Sequence, residues 1–301
     1  MSIDIDTSFT HFTRTAERAA NQVIAAYSTS FGLATRLLGP RHRQHVRNIY
    51  ALVRVADELV DGVTAEAGLS HQQQNDALDH FIDETHRALK IGYSSDLIIH
   101  AFAQTARTAG IDESLTDPFF ASMRMDLGER GARQGAPLRF DAEAHQGYVY
   151  GSAEVVGLMC LCVFMRGQNI DDGDAAALRY GASRLGAAFQ NINFLRDLSD
   201  DTDRLGRNYL GTADHLEDQD RVEWVKTIRS QLDDAKAVIP LLPHDARAAV
   251  RSALALFAAL TRRIEQTTVD ELYHSRVRVP DVFKAGLAAR AVAATWLEPR
   301  G

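Results

Sequence analysis

Cysteine is scarce in this chain, and its scarcity excludes two kinds of stabilising site. The 301 residues include two cysteines, Cys160 and Cys162. They lie two positions apart in a predicted helix, so their side chains point to different sides of it. This spacing fits neither a disulfide framework nor a zinc site, and we expect buried thiols in a reducing cytosol.

Dense clusters of basic residues are also missing. The chain has 33 lysines and arginines against 40 aspartates and glutamates, which gives a net charge of −7. Without a basic run, nucleic acid is not expected as a partner. The acidic surplus also argues against a function built on anionic membranes, although an apolar substrate could still come from a bilayer.

No segment has the pattern of a leader or a membrane span. Residues 1–6 are acidic and lack an apolar core, so we do not expect a secretory signal. The most apolar run, from Val155 to Met165, is shorter than the roughly 20 residues that a spanning helix needs. We expect a cytoplasmic protein that associates at most loosely with membranes.

Strand patterns are rare, whereas helical periodicity covers almost the whole chain. Hydrophobic residues make up 46% and charged residues 24%, as in soluble globular proteins. No linker or repeat divides the sequence, so we predict one all-helical domain over residues 1–301, with helices that line a large apolar cavity as well as a core. The predicted helices cover about 10–27, 30–38, 41–61, 72–90, 94–109, 116–128, 143–166, 171–202, 218–238, 244–272 and 280–297.

Two aspartate pairs with equal spacing are the most informative pattern. Asp57 and Asp61 lie in one predicted helix, and Asp197 and Asp201 lie in another. The i,i+4 spacing puts both carboxylates on one helix face, with Cβ atoms about 5–6 Å apart, where like charges repel. Magnesium is usually held by one or two carboxylates plus substrate phosphates. The pattern therefore predicts two walls of one pocket that holds magnesium and diphosphate.

A solvated helix face is the usual explanation for a single pair of this kind, with Arg54 and Asp57 as an i,i+3 ion pair. Two observations favour a site instead. Residues 48–60 are mostly apolar, and carboxylates embedded there need partners. A second, denser cluster also exists, in which Gln190, Asn193 and Asp197 are spaced i, i+3 and i+7. We favour a metal or phosphate site for this polar stripe.

Three other segments have a structural and a functional interpretation. Gly151 and Gly157 allow close helix packing, which the spacing alone slightly favours, or leave room for a bulky apolar ligand. Ser28 or Ser30 is typical of a helix N-cap, and this does not exclude a substrate contact. The segment 206–210 is an ordinary loop by itself, but beside a diphosphate site it could close over the anion. Elsewhere, no nucleophile-elbow, P-loop, dinucleotide-binding or zinc-protease motif is present.

Together these segments resemble the squalene and phytoene synthase family of head-to-head prenyl transferases. The resemblance is strongest to bacterial phytoene synthases, through residues 27–31 and 150–154. It implies a single all-α isoprenoid synthase bundle around a deep apolar cavity. The matching motifs, in the order of the family, are Ser28-Thr-Ser30-Phe31, Tyr50-x3-Arg54-x2-Asp57-Glu58-x2-Asp61, Asp126, the Tyr148 segment, Gln190-x2-Asn193-x2-Arg196-Asp197-x2-Asp200-Asp201 and Gly206-Arg207-x-Tyr209-Leu210.

The sequence departs from the usual family pattern at three positions. Glu58 stands where many members have a second aspartate, and Asp200 replaces a common glutamate. Both changes keep a carboxylate. Glu154 stands where a glycine is frequent, which leaves the shape of the cavity open at that point.

The resemblance implies functions for individual residues. Magnesium, with manganese as an alternative, would be held by Asp57, Asp61, Asn193, Asp197 and Asp201. Catalysis would involve Asp57, Asp61, Asp197, Asp201, Tyr148 and Tyr209. Substrate contacts would come from Ser28, Ser30, Phe31, Arg54, Asp126, Gln190, Asn193, Arg196 and Arg207.

The reaction implied by the resemblance joins two prenyl diphosphates. We expect two geranylgeranyl diphosphates to form phytoene through a cyclopropylcarbinyl diphosphate, as in carotenoid biosynthesis, without a need for NADPH. Squalene or dehydrosqualene formation from farnesyl diphosphate is the alternative. Peripheral membrane association would serve product delivery, and the oligomeric state is left open. An inactive isoprenoid-binding relative and a helical scaffold are hypotheses of other classes, and the retained aspartates and arginines speak against them.

Overall fold

The computed structural model of the protein describes residues 7–131, 142–198 and 216–298. Every regular element in these ranges is a helix, which confirms the all-α prediction. The elements are α1 (Ser8–Tyr27), α2 (Thr29–Arg36), α3 (Pro40–Val60), α4 (Val63–Glu66), α5 (His71–Ile91), α6 (Leu97–Ala109), α7 (Glu113–Gly131), α8 (Ala142–Val149), a π-helix (Tyr150–Glu154), α9 (Val155–Met165), α10 (Asp172–Arg196), α11 (Asp218–Ala237), a 3₁₀ turn (Ile239–Leu241), α12 (His244–Glu265), α13 (Val269–His274) and α14 (Asp281–Trp296).

Capping side chains determine where several helices begin. The hydroxyl of Ser70 accepts a hydrogen bond from the Gln73 N–H, and the Gln73 side chain accepts one from the Ser70 N–H. Thr268 and Glu271 form the same capping box. This second box corrects the prediction of one helix over residues 244–272, because Thr268 starts a separate helix, α13, after α12 has ended at Glu265.

Two large hydrophobic clusters form most of the core, and a small third one joins α1, α3 and α6. The first joins α3, α5, α6, α7 and α9, and the second joins α8, α10, α11, α12 and α13. The π-helix contacts both α7 and α10, so it lies where the two halves meet. Fully buried members are Ile49, Phe102, Phe119, Leu127 and Met159 in the first cluster, and Ile192, Leu195, Ile228, Ile264 and Leu272 in the second.

Glycines let the helices at this junction approach closely. A Cβ atom on Gly151 would lie 2.2 Å from the carbonyl oxygen of Pro118 in α7. On Gly157 and Gly186 it would lie 2.6 and 2.5 Å from carbonyl oxygens of the facing helical segment. Close packing, the structural interpretation of these small residues, is therefore present. It fixes the π-helix between α7 and α10.

The run from Ala142 to Met165 is long and apolar enough to cross a membrane by length and composition alone. In the structure it contains α8, the π-helix and α9, and it packs against α3, α7 and α10. Val155, Met159 and Val163 within it are completely buried by protein. A buried core helix passes the same test, so the run gives little support for a membrane span.

A half-buried histidine, His45, links α3 to α6 and to the end of α9. Arg166 donates a hydrogen bond to His45 Nε2 over 2.7 Å, and His45 Nδ1 lies 2.9 Å from Thr105 Oγ1. Because arginine can only donate, Nε2 must be an unprotonated acceptor, and the proton is on Nδ1. Burial, followed by the charges of Arg166 and His42, lowers the pKa of His45 from 6.5 to about 4.

This histidine makes the stability of the protein depend on pH. The unfolded chain takes up a proton at His45 below pH 6.5, and the folded chain does so only below about 4. The contribution of His45 to the free energy of unfolding should therefore be complete above pH 6.5. The free energy of unfolding should fall by up to about 3 kcal/mol as the pH drops to 4. Urea denaturation of the wild type and of His45→Gln across this range measures the effect. The variant, which keeps an acceptor for Arg166, should lose less stability, and equal losses in both proteins would contradict the assignment.

Candidate functional site

The first aspartate pair lies at the C-terminal end of α3. Asp57 is in the last turn of the helix, and Asp61 caps it by donating its N–H to the Asp57 carbonyl oxygen over 2.7 Å. Gly62 follows with a φ of 123°, which favours glycine and turns the chain away at once. The negative end of the helix dipole disfavours carboxylates here, and the last turn of α3, which is fully described, has no basic residue. A bound cation would offset this cost.

The surroundings of Asp57 disfavour its charged form. Burial raises its pKa well above the usual range, and the neighbouring carboxylate of Asp61 raises it further. Arg54 opposes these effects, whereas Asp126 and Glu58 add to them. The structure therefore brings Asp126 of α7 close to the pair on α3, two helices that the sequence separates by more than fifty residues.

Asp126 is held by a tyrosine. Both residues are almost fully buried, and the Tyr148 hydroxyl donates to the Asp126 carboxylate, with distances of 2.9 and 3.1 Å to its two oxygens. The Tyr148 ring also lies 6.1 Å from the ring of Phe194 on α10. Tyr148 thus connects the α3–α7 carboxylates to the helix that carries the second aspartate motif.

Arg54 has two partners on its own side of the site. It forms an ion pair with Glu58 one turn further along α3, and its guanidinium lies 4.5 Å from the centre of the Tyr27 ring. Glu58, which stands where many family members have an aspartate, therefore orients the guanidinium of Arg54. Arg54 remains half-buried at the edge of the carboxylate cluster, where its positive charge offsets part of the rise in the pKa of Asp57.

Two of the predicted substrate residues, Ser28 and Phe31, lie at the start of α2, directly after Tyr27, whose ring contacts Arg54. Ser28 is the N-cap of α2 and accepts a hydrogen bond from the Phe31 N–H over 3.0 Å, as its structural interpretation requires. Phe31 stacks on Tyr50 of α3 with ring centres 5.2 Å apart. Ser30 is in α2, but its side chain lies outside the described part of the protein.

The second motif lies at the C-terminal end of α10, just as the first lies at the C-terminal end of α3. Gln190 and Asn193 are half-buried on the helix, and Asp197 is its C-cap, with its N–H bonded to the Asn193 carbonyl oxygen over 2.9 Å. Among the described residues, the buried side-chain oxygen of Asn193 has no hydrogen-bond partner. A buried amide oxygen without a donor is a suitable ligand for a hard cation.

Two arginines surround the Asp197 carboxylate. Arg196 Nε donates to it over 2.8 Å, and Arg276 Nε lies 2.7 Å from the same oxygen. Arg276 was not among the sequence-predicted site residues. It belongs to the short segment between α13 and α14, where Arg276, Arg278, Val277 and Val279 alternate. That alternation of arginine and valine was the available signal.

Three predicted residues cannot be placed. Asp201, Arg207 and Tyr209 fall in residues 199–215, outside the described part of the chain. Their assignment as metal, substrate and catalytic residues stays a prediction. Within the described ranges, no three acidic, histidine or cysteine side chains are grouped as a complete metal site.

An apolar cavity of about 220 Å³ is lined mainly by residues of α2, α9, α10 and α12, and Val46 of α3 also reaches it, whereas Asp57, Asp61, Asp126 and Asp197 are not part of its lining. Phe31 of α2 lines it on one side, and Phe189, the residue before Gln190, lines it on the other. Small residues from the π-helix, α9, α10 and α12 form much of the remaining wall: Ala153, Gly157, Ala182, Gly186, Ala249 and Ala253. Such a wall accepts flexible hydrocarbon and offers few polar groups.

Glu154 does not enter this cavity. It lines a separate polar cleft with Arg184, His145 and Gln231, and burial, opposed by Arg184, raises its pKa. The question that the sequence left open is thereby answered, because the apolar cavity is lined by the neighbours of Glu154 at positions 153, 156 and 157.

Comparison with known proteins places this site in a family context. The sequence profile of the family Squalene/phytoene synthase matches residues 24–282. A chloroplastic phytoene synthase 3 of Zea mays is 30% identical over 291 residues, covering 90% of this chain and 64% of the maize protein. A 15-cis-phytoene synthase of Synechocystis sp. is 29% identical, covering 88% of this chain and 81% of its own length.

Solved structures show the same fold at lower identity. A dehydrosqualene synthase superposes with a TM-score of 0.73 at 21% identity, covering 96% of this chain and 99% of that one. A squalene synthase of Alicyclobacillus acidocaldarius superposes with a TM-score of 0.64 at 16% identity, covering 88% and 97%. The predicted isoprenoid synthase fold is confirmed, and the chain belongs to the squalene/phytoene synthase family, whose members are prenyl-transferring enzymes.

Proposed function

We propose that the protein condenses two molecules of geranylgeranyl diphosphate head to head into phytoene. One observation carries the proposal. Asp57 interacts electrostatically with Asp61 and Asp126, and the same chain has an apolar cavity lined by Phe31 and relatives named phytoene synthases. The burial of Asp126 also opposes the scaffold hypothesis, which expects carboxylates on solvent faces.

The residues present fit a divalent cation. Repelling carboxylates at Asp57 and Asp61 and the unpartnered oxygen of Asn193 are ligands of the type that magnesium prefers. We propose that Asp57 and Asp61 hold magnesium on one side, and that Asn193 and Asp197, with Asp201, hold it on the other. When bound, the metal would neutralise charge on the departing diphosphate.

The protein side chains would supply the remaining requirements of the reaction. Arg196 and Arg276 converge on Asp197, so a diphosphate that enters there meets two guanidinium groups suited to phosphate oxygens. The apolar cavity would hold the prenyl chains and exclude water, which would otherwise quench an allylic cation. Tyr148 would keep the Asp126 carboxylate oriented toward Asp57.

Product analysis tests the proposed substrate. The protein is incubated with magnesium and either the C20 or the C15 diphosphate, with and without NADPH, and the hydrocarbons are identified. We expect phytoene from the C20 substrate, independent of NADPH. Squalene or dehydrosqualene formed from the C15 substrate alone would establish the runner-up function. No product from either substrate would favour the inactive isoprenoid-binding relative.

Asp57→Asn tests the carboxylate cluster. The substitution removes a proposed metal ligand and should lower kcat/KM by about 100-fold or more. It also removes like-charge repulsion, so the melting temperature without ligand should stay equal or rise by about 1–3 °C. Steady-state kinetics and thermal denaturation measure both effects. The exposed Asp83→Asn on α5 is the control and should change neither, whereas near-normal turnover in Asp57→Asn would exclude this site.

Arg276→Ala tests the residue that only the structure revealed. Loss of the guanidinium beside Asp197 should raise KM for the diphosphate by about tenfold, the effect of about 1.4 kcal/mol. Arg276→Lys should recover part of the loss, because it restores charge without the bidentate geometry. Arg229→Ala, which removes an exposed arginine paired with Glu265, should leave KM unchanged. An unaltered KM in Arg276→Ala would exclude a substrate contact.

A further inference from the structure

The polar cleft that Glu154 lines lies on a different face of α10 from the apolar cavity. Arg184 and Asn191, seven residues apart, line the polar cleft, whereas Ala182 and Gly186 line the apolar cavity. Residues at such helical spacing share a face, so α10 presents one face to each space. The remaining walls of the polar cleft come from α8, the end of the π-helix and α11. Its volume is about 450 Å³, which is in the range of small-molecule sites.

Two buried polar atoms in the wall of the polar cleft have no hydrogen-bond partner among the described residues. They are Oδ1 of Asn191 and Nε2 of His145. Asn191 is only 2% exposed, and its Nδ2 donates to Oε1 of Gln231 over 3.2 Å. This hydrogen bond orients the amide of Asn191 and leaves its oxygen as an acceptor without a donor. Because buried polar groups in proteins are nearly always satisfied, these two atoms indicate a ligand.

Acidic side chains outnumber basic ones among the described residues that line the polar cleft. Glu154, Asp220 and Glu223 are acidic, and Arg184 is the basic residue that faces them. The charge of Arg184 is already offset from outside the cleft, because its Nε donates to the Asp234 carboxylate over 2.9 Å. The wall therefore has a surplus of negative charge, which favours a positively charged ligand.

The arrangement of the wall suits an organic cation better than a metal ion. Within the described ranges, no three acidic, histidine or cysteine side chains are close enough to hold a metal. An ammonium group donates several N–H hydrogen bonds and can also lie against an aromatic ring. Trp224 offers such a ring in the cleft, with the ring of His145 4.9 Å away between centres. Burial lowers the pKa of His145, so this imidazole is neutral near pH 7 and one of its nitrogens can accept a hydrogen bond.

We propose that the polar cleft binds a small aliphatic amine in its ammonium form. The oxygens of Asn191 and Glu154 would accept charge-assisted hydrogen bonds, which are stronger than neutral ones. Glu223 at the exposed rim would attract a second ammonium group of a diamine. A cation beside Glu154 would also favour the charged form of this carboxyl, whose pKa burial raises. Glu154, which stands where the family often has glycine, thereby gains a function.

Fluorescence of single-tryptophan variants tests amine binding without any prenyl diphosphate. The chain has two tryptophans, Trp224 in the cleft and Trp296 on α14. In Trp296→Phe, the emission of Trp224 should change in a saturable way as the diamine putrescine is added. In Trp224→Phe, the emission of Trp296 should stay constant. Succinamide and succinate, a neutral and an anionic compound of similar length, should have no effect on Trp224 at the same ionic strength.

Substitutions in the Trp296→Phe background test which carboxylate holds the amine. Glu154→Gln keeps the size of the side chain and removes its charge, so it should raise the dissociation constant for putrescine by about tenfold. The control Glu143→Gln removes an exposed charge on α8 outside the cleft and should leave the constant unchanged. Asp57→Asn should leave it unchanged as well, which distinguishes the polar cleft from the carboxylates at the end of α3.

Calorimetric titration of the wild type measures the same binding without a fluorescent reporter. Absence of both binding heat and a Trp224 response up to roughly 10 mM putrescine would overturn the proposal. A stronger response to succinate or succinamide would contradict a cationic ligand. An unaltered constant in Glu154→Gln, or an equal loss in Asp57→Asn, would place the amine outside the cleft. Because none of these measurements uses a prenyl diphosphate, amine binding can fail while phytoene formation succeeds, and the reverse.

Discussion

Repulsion between carboxylates, concentrated at the end of one helix, is the constraint on which the candidate site depends. Asp57 and Asp61 occupy the unfavourable end of the α3 dipole, and buried Asp126 adds a third negative charge. The fold tolerates this because rigid cores on both sides hold the helices, and because Arg54 offsets part of the charge. This repulsion, in a chain that also has an apolar cavity, is what supports the proposed metal site.

The second motif meets the same constraint differently. Asp197 also ends a helix, but two arginines already surround its carboxylate. Among the described residues, the first half of the site has surplus negative charge and the second has surplus positive charge, and Asp201 lies outside the part of the chain that this comparison covers. In the proposed function, carboxylates of both halves would hold magnesium, and the two arginines of the second half would in addition meet phosphate oxygens. This asymmetry agrees with a reaction in which two identical substrates have different roles.

Sequence reasoning found the residues that repeat a motif and missed those that act from elsewhere in the chain. The spacing of Asp57 and Asp61 is local, so it is visible in one helix. Arg276 approaches Asp197 across seventy-nine residues, and the alternation of arginine and valine at residues 276–279 does not show which residue it contacts. The break between α12 and α13 was missed because helical periodicity continues through residues 266–268, and the capping box at Thr268 and Glu271 was overlooked. In this case the sequence did contain a local signal for the start of α13, and in the structure that signal prevails over the helical periodicity.

The amino-acid sequence alone determined the all-helical class, the positions of most helices and the two aspartate motifs, because each of these rests on spacing within one segment. It also indicated the family, because several such segments follow one another in the family's order. The tertiary structure decided how distant segments meet. It joined Asp126 and Tyr148 to the α3 carboxylates, and it directed Glu154 away from the apolar cavity and into the polar cleft. Burial and charge at these places arise from contacts between helices far apart in the chain, and such contacts have no period that a sequence can display.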